Sequence, residues 1–106
     1  MKKYLLFIDQ INTINQQFSL KSHEIELLDA VAKSHLNKEL ITIGELIRNN
    51  KMACSTTLYN ALKNLAFKGL IATNEDKRDG RKKSVSLTKL GLDRYKTLNR
   101  LLIQCQ

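Results

Sequence analysis

Positive charge is concentrated in one short stretch of the chain, from Lys77 to Lys83. Five of its seven residues are basic, and they surround the pair Asp79-Gly80. Asp-Gly between two runs of strand-forming residues predicts a tight hairpin, here with strands over residues 70–74 and 84–87. Cationic side chains at a hairpin tip can bind phosphate or enter a DNA minor groove, and Asp79 would orient Arg81 or shape the turn. The predicted binding residues of the tip are Lys77, Arg78, Arg81, Lys82 and Lys83.

The segment before the hairpin is predicted to form a helix with two different faces. It begins at Cys54 or Ser55 and ends near Lys68, followed by Gly69 where a left-handed C-cap is favoured. Its inward residues are Leu58, Ala61, Leu62 and Leu65. At about 100° per residue, the opposite face is polar and free of acidic groups; it consists of Thr56, Asn60, Lys63 and Asn64. Asparagine amides can pair with adenine, and a threonine methyl group can contact that of thymine.

Three hydroxyl residues, Ser55, Thr56 and Thr57, open this helix. Hydroxyl groups, free backbone amides and the helix dipole together favour a phosphate at a helix N-terminus. The alternative is that the hydroxyls only cap the helix. Because capping needs one hydroxyl and three are present, we expect both roles. At the other end the helical wheel turns Phe67 outward, and we expect it to pack against the hairpin or a terminal helix.

The first half of the chain is predicted to form two helices, a short strand and a third short helix. The first helix has the apolar stripe Tyr4, Phe7, Ile8, Ile11, Ile14 and Phe18. Ser22 is a good N-cap for the second helix, whose inward residues are Ile25, Leu28, Val31, Ala32 and Leu36. The run Ile41–Ile43 suits one strand, and the helix after it turns Leu46 and Ile47 inward.

A last helix, capped by Thr88, follows the hairpin and carries the stripe Leu92, Tyr95, Leu98, Leu102 and Cys105. The predicted order is therefore α-α-β-α-α-β-β-α, a mainly helical fold with a small β-hairpin. Two helices joined by a tight turn form a helix-turn-helix, and the hairpin after them makes it a winged helix.

The stretch from Cys54 to Gly91 resembles the winged-helix core of MarR-type bacterial transcription regulators. The matching features are the hydroxyl-rich helix start, Leu65 four residues before Gly69, the wing sequence Asp79-Gly80-Arg81, and the run from Leu87 to Gly91. The resemblance covers roughly Ser22 to Tyr95, although the family often has an arginine where Asn60 stands. It implies a recognition helix in the major groove and Arg81 as the wing arginine in the minor groove.

Composition limits the remaining function classes. The net charge is +8, and residues 51–106 hold twelve basic and four acidic residues, against six of each in residues 1–50. This asymmetry favours a nucleic acid partner, and no apolar run is long enough to span a membrane. Cys54 and Cys105 form no metal-binding or disulfide pattern, and no catalytic motif is present. We therefore predict a cytoplasmic, nucleoid-associated protein that is not an enzyme and has no cofactor or metal.

Cys54 lies just ahead of the predicted recognition helix. A helix N-terminus lowers the pKa of a thiol, so a redox sensor is one interpretation. The interpretation we favour is a small, half-buried residue. A small-molecule effector is not indicated by the sequence.

The two terminal helices are the predicted dimer interface, because a domain this small would otherwise expose much of their apolar surface. The division is residues 1–20 for an N-terminal dimerisation helix, 21–88 for the winged-helix core and 89–106 for a C-terminal dimerisation helix. The alternative is that both helices pack only on the core of their own subunit.

The predicted function is sequence-specific binding of double-stranded DNA by a homodimeric transcription regulator. Two alternatives remain at this stage. The first is a plasmid or phage partition or replication accessory protein, which would use the same fold to coat repeated sites. The second is a winged helix that serves as a protein–protein interaction module, with its basic hairpin against an acidic protein surface.

Overall fold

The computed structural model of the protein describes residues 1–50, 53–75 and 83–104. Its elements follow the predicted order, with five helices and three strands in the described residues. They are α1 (Lys2–Gln17), α2 (Ser22–Leu36), β1 (Ile41–Thr42), α3 (Ile43–Asn49), α4 (Ser55–Phe67), β2 (Ile71–Glu75), β3 (Lys83–Leu87) and α5 (Lys89–Gln104). None of the helices in the described part of the chain is long and apolar enough to cross a membrane.

The three strands form one antiparallel sheet in the order β1-β3-β2. Val85, in the middle of β3, stands opposite Ile41 of β1 and Thr73 of β2. The two strands predicted for the hairpin therefore pair with each other, while the predicted turn at Asp79-Gly80 lies outside the described residues. The short strand predicted at Ile41–Ile43 is present as Ile41–Thr42 and is the third strand of the sheet. Val85 is buried in the middle of β3, whereas Lys83, on the same face two residues earlier, is exposed at the start of the strand.

The core forms where α2, α3 and α4 pack against the sheet. Its fully buried apolar residues are Leu27, Leu28, Val31, Leu46, Leu58, Ala61, Leu62, Leu65, Leu70, Ile71 and Val85. All four inward residues predicted for α4 belong to this core. Leucine spacing of four and three residues places their side chains on one stripe of the helix, which explains why the prediction holds.

The predicted inward face of α2 is partly wrong. Leu36 is 79% exposed at the end of the helix, Ile25 is half-buried, and Leu27 is fully buried in their place. The start of the helix also differs, because Lys21 is the N-cap and Ser22 is the first helical residue. The physical reason is a buried acid: Glu24 is only 1% exposed, so the buried stripe of α2 runs one residue earlier than the apolar pattern suggests.

Glu24 is buried because it pairs with the residue that ends α4. Lys68 Nζ lies 2.6 Å from Glu24 Oε1 and donates a second hydrogen bond of 2.7 Å to the backbone oxygen of Ser19. A buried carboxylate is tolerated only with such a charged partner. The pair therefore fixes the C-terminal end of α4 against α2 and the turn that precedes it.

Gly69 ends α4 in the predicted left-handed conformation, with φ of +77°. The amide of Leu70 donates to the carbonyl of Leu65, and that of Gly69 donates to Ala66, which is the Schellman arrangement. The chain then turns directly into β2.

The start of α5 explains why the run from Leu87 to Gly91 has threonine and glycine at positions 88 and 91. Thr88 caps the helix, because its Oγ1 accepts a 3.1 Å hydrogen bond from the amide of Gly91. The same hydroxyl donates to the carbonyl of Gly69. A side chain at Gly91 would place its Cβ 2.5 Å from the carbonyl oxygen of Leu70. Only glycine allows the start of α5 to lie this close to the start of β2.

Polar contacts join α5 to α1 and to α2. Arg94 of α5 is 3% exposed and donates to the side chain of Asn15 in α1. The next residue, Tyr95, donates its phenol hydrogen to Asp29 of α2. Burial, with the Asp29 carboxylate adding to it, raises the pKa of the Tyr95 phenol well above its usual value. Tyr95 therefore remains a neutral hydrogen-bond donor throughout the physiological pH range.

Candidate nucleic-acid interface

The polar face predicted for α4 is exposed to solvent. Thr56, Asn60, Lys63 and Asn64 are all exposed, while the leucines on the other side of the helix are fully buried. No acidic residue occurs anywhere in α4. The helix therefore presents amide, hydroxyl and ammonium groups on a surface that no other described part of the chain covers.

The N-terminus of α4 differs from its prediction in how it is capped. Ser55, Thr56 and Thr57 are the first three helical residues and none is the N-cap; that position belongs to Cys54, whose side chain makes no capping hydrogen bond. The expected capping role of the hydroxyls is therefore wrong. Ser55 and Thr56 are exposed and Thr57 is half-buried, so the phosphate-binding role stays a prediction.

Cys54 is exposed, which makes the favoured interpretation of a half-buried residue wrong. Its Sγ lies 3.3 Å from Thr57 Oγ1. Hydrogen bonds from the side chain and the backbone amide of Thr57 lower the pKa of the Cys54 thiol below its usual value. The structure thus places a thiol of increased acidity at the first turn of the predicted recognition helix.

Of the wing, the structure describes the base, which consists of Glu75 at the end of β2 and Lys83 at the start of β3. Lys83, the first residue of β3, is paired with Glu75 of β2, and its ammonium group lies 4.0 Å from the Glu75 carboxylate. Both side chains are exposed, so this ion pair contributes little stability. The predicted binding residues Lys77, Arg78, Arg81 and Lys82, together with Asp79, lie outside the described residues, and their roles stay predictions.

A groove of about 640 Å³ connects α4 with the base of the wing. It lies between α3, α4 and the sheet and is lined by Lys63 of α4, Lys83 of β3 and Arg48 of α3. Glu45 is the acidic residue among its lining residues, beside these three cations. Lys63 of the polar face of α4 and Lys83 at the base of the wing therefore line one shared, cationic depression.

Arg48 was not among the predicted site residues. It lies in the last turn of α3, and its Nε donates a 3.3 Å hydrogen bond to the carbonyl of Gly44. The sequence held one signal for it: the helix before a recognition helix lies across the DNA backbone in a helix-turn-helix. A basic residue at the end of that helix is therefore a candidate phosphate contact.

Phe67 does not pack as predicted. It is 93% exposed at the last position of α4 and contacts neither the wing base nor a terminal helix as a buried residue would. Lys68, which follows it, turns toward Glu24 instead and uses its charge inside the protein. The two neighbouring residues thus point to different sides of the helix end.

Comparisons with known proteins define the class of the fold. No protein-family model matches the sequence, and no curated protein matches it significantly. Solved structures do match. The DNA complex of MepR from S. aureus is 20% identical, with 92% of this chain and 77% of that chain covered and a TM-score of 0.76.

Two further solved structures are also similar. MarR is 15% identical, with 96% of this chain and 74% of that chain covered and a TM-score of 0.68. A MarR-like transcription regulator from Bacillus cereus is 18% identical, with 98% of this chain and 71% of that chain covered and a TM-score of 0.66.

The element order, the three-stranded sheet and the exposed face of α4 define a winged helix-turn-helix protein. The similar structures narrow this class further. The chain has the MarR-type winged-helix fold, in which α1 and α5 are the terminal helices that flank the core.

Proposed function

We propose that the protein binds double-stranded DNA as a homodimer and acts as a transcription regulator. The observation that carries this proposal is the shared groove between α4 and the wing base, with Lys63, Lys83 and Arg48 along its walls. Three cations and an acid-free recognition helix suit the phosphate backbone and the base edges of a duplex. The protein would then act in the cytoplasm, at the nucleoid, and the proposal includes no catalytic step.

The recognition helix would enter the major groove with its polar face toward the bases. Its 13 residues span about 20 Å. The major groove of DNA is about 12 Å wide, which admits one helix. Asn60 and Asn64 would read adenine, while Ser55, Thr56 and Thr57 would contact a phosphate near the helix start. Lys83 and the basic residues of the wing tip would contact the flanking backbone or minor groove.

The fold neighbours support this proposal. MepR is a protein whose structure has been solved in complex with DNA, and the B. cereus neighbour is described as a transcription regulator. The net charge of +8 favours the same kind of partner.

The dimer is supported by the apolar residues that the terminal helices leave exposed. Leu6 of α1 is 54% exposed, and Tyr4 and Leu5 beside it are also exposed. On α5, Leu102 and Ile103 are exposed in the same way. A second copy could cover these residues, as two-fold helix-turn-helix dimers do on palindromic sites.

Selection of bound sequences from a random DNA pool tests the proposal. We expect enriched sequences to contain a palindrome with half-sites about one helical turn apart. An extended array of repeats would instead favour the partition or replication accessory role. Weak binding at low salt with no enriched sequence would contradict DNA binding and favour the protein–protein module.

Sedimentation of Leu6→Glu tests the dimer separately. The introduced charge would have to be buried without a partner in the interface, so we expect the variant to be monomeric where the wild type is dimeric. Gln16→Glu is the matched control, because it adds the same charge at an exposed position of the same helix. A wild type that sediments as a monomer at micromolar concentration would refute the dimer.

A further inference from the structure

Phe67 is the feature of the recognition helix that the proposed contacts leave unexplained. At 93% exposed it contributes almost nothing to the apolar core, although burial of a phenylalanine side chain ordinarily stabilises a fold. A large apolar side chain held in water at the end of a well-packed helix is available to a partner.

The helix geometry places Phe67 in line with the predicted base-reading residues. Phe67 lies eleven positions after Thr56, and at about 100° per residue the two side chains point within about 20° of each other. Asn60 and Lys63 lie between them on the same stripe and are exposed as well. The four residues thus form one continuous row along α4, about 16 Å long.

The end of α4 keeps this row uncovered. The Schellman turn at Gly69 directs the chain inward to Leu70, which is fully buried. Lys68 does not cover the row either, because its ammonium group is bound to Glu24 and Ser19 on another side of the helix. Both contacts fix the last turn of the helix, so that Phe67 is held outward by the packing of its neighbours.

We infer that Phe67 recognises the methyl group of a thymine in the major groove of the bound duplex. This inference rests on the proposed function and adds a base-specific contact to it. The thymine methyl group is the apolar feature that base edges present in the major groove, and phenylalanine is one of the side chains that contact it. The row's Lys63 and the absence of acids on α4 let the DNA approach closely.

A thymine-to-uracil exchange tests the contact directly, because uracil lacks only this methyl group. On a duplex that the wild type binds, each thymine is replaced in turn by deoxyuridine. We expect one exchange per half-site to weaken wild-type binding about fourfold, the equivalent of about 0.8 kcal/mol for one buried methyl group. Phe67→Ala removes the contact from both subunits of the dimer, so it should bind the original duplex about sixteenfold more weakly than the wild type and show no further loss on the same exchange.

Leu36→Ala is the matched control, since Leu36 is a similarly exposed apolar residue that lies on α2. It should keep the wild-type response to every exchange. Circular dichroism of Phe67→Ala should match the wild type, because no core contact is removed.

Three results would overturn the inference. In the first, wild type and Phe67→Ala respond equally to every exchange. In the second, Phe67→Ala becomes monomeric while Leu36→Ala stays dimeric, which would assign Phe67 to a contact with a second copy. In the third, the wild type binds no duplex at all; this outcome is distinct, because it refutes the proposed function and the Phe67 contact falls with it.

Discussion

Helix α4 and the terminal helices use their apolar residues in opposite ways. The fully buried residues of α4 are all apolar: Leu58, Ala61, Leu62 and Leu65. In α1 the one fully buried residue is Asn15, and in α5 they are Gly91 and Arg94. Within one chain, α4 has satisfied its apolar stripe, whereas the terminal helices still expose leucine and isoleucine side chains.

This difference indicates what each surface can bind. The surface that α4 leaves exposed is polar apart from Tyr59 and Phe67 and lies beside the cations of the groove, so it suits a polyanion. The surface that α1 and α5 leave over is apolar, so it suits another apolar surface. The kind of residue that each helix leaves exposed thus indicates the kind of partner it can bind.

The largest expected effect is on the free energy of unfolding, and it distinguishes α4 from the terminal helices. Leu65 is fully buried, so Leu65→Ala should lower the free energy of unfolding by roughly 2–5 kcal/mol at every protein concentration. For Leu6→Ala the loss relative to wild type should grow as the concentration rises, because only association buries Leu6. Urea unfolding over a concentration series measures both. A Leu6→Ala loss that is independent of concentration would place Leu6 in the core of its own subunit.

A second prediction separates base reading from phosphate binding. Asn60→Ala should cost about 1–3 kcal/mol on the selected site and change the base preference at one position, while binding to random DNA stays nearly unchanged. Arg81→Ala should weaken binding to both kinds of DNA and reduce the salt dependence. Titrations of both variants on selected and random duplexes provide the measurement. Equal losses on both duplexes for both variants would contradict the division.

The acidic thiol of Cys54 gives a smaller, kinetic effect. Because hydrogen bonds from Thr57 lower the pKa of this thiol, Thr57→Val should raise it and slow alkylation near neutral pH a few-fold. The rates of wild type and variant should converge at a pH above both thiol pKa values, where both thiols are ionised. Thr56→Val, which leaves the Thr57 hydroxyl in place, is the control. Mass spectrometry of the Cys54 peptide reports the rate of alkylation. An unchanged rate in Thr57→Val would show that the hydrogen bond is not the cause of the lowered thiol pKa.

DNA should affect the two cysteines differently. A bound duplex would cover the start of α4 and slow alkylation of Cys54. Cys105, in the predicted C-terminal dimerisation segment and outside the described residues, should be unaffected by DNA. Equal protection of both would weaken the assignment of the two regions to two partners.

Elements with regular apolar spacing could be predicted from the sequence, and long-range polar pairs could not. The stripe of α4, the left-handed Gly69 and the Thr88 cap depend on residues within a few positions of one another. The Glu24–Lys68 pair joins residues 44 positions apart, and no local pattern indicates it. Missing that pair shifted the predicted face of α2, because a glutamate is ordinarily taken as exposed.

The same distinction holds for the candidate site. Four exposed residues of α4 were predicted because their exposure follows from the burial of its leucines. Arg48 was missed because it reaches the groove only after α3 packs beside α4. The helical wheel correctly places Phe67 on the outside of α4, but the prediction that it packs against the hairpin or a terminal helix is wrong.

Salt dependence of DNA binding tests most directly whether α4 and the wing base form one DNA-binding surface. For Lys63→Gln and Lys83→Gln, we predict that the slope of log K against log salt becomes less steep by about 1.8 each, because each change removes one lysine from both subunits of the proposed dimer, and by about twice that in the double variant. Lys96→Gln, a change at an exposed lysine of α5, should keep the wild-type slope. Wild-type slopes in both Lys63→Gln and Lys83→Gln would contradict the account, because neither lysine would then meet a phosphate.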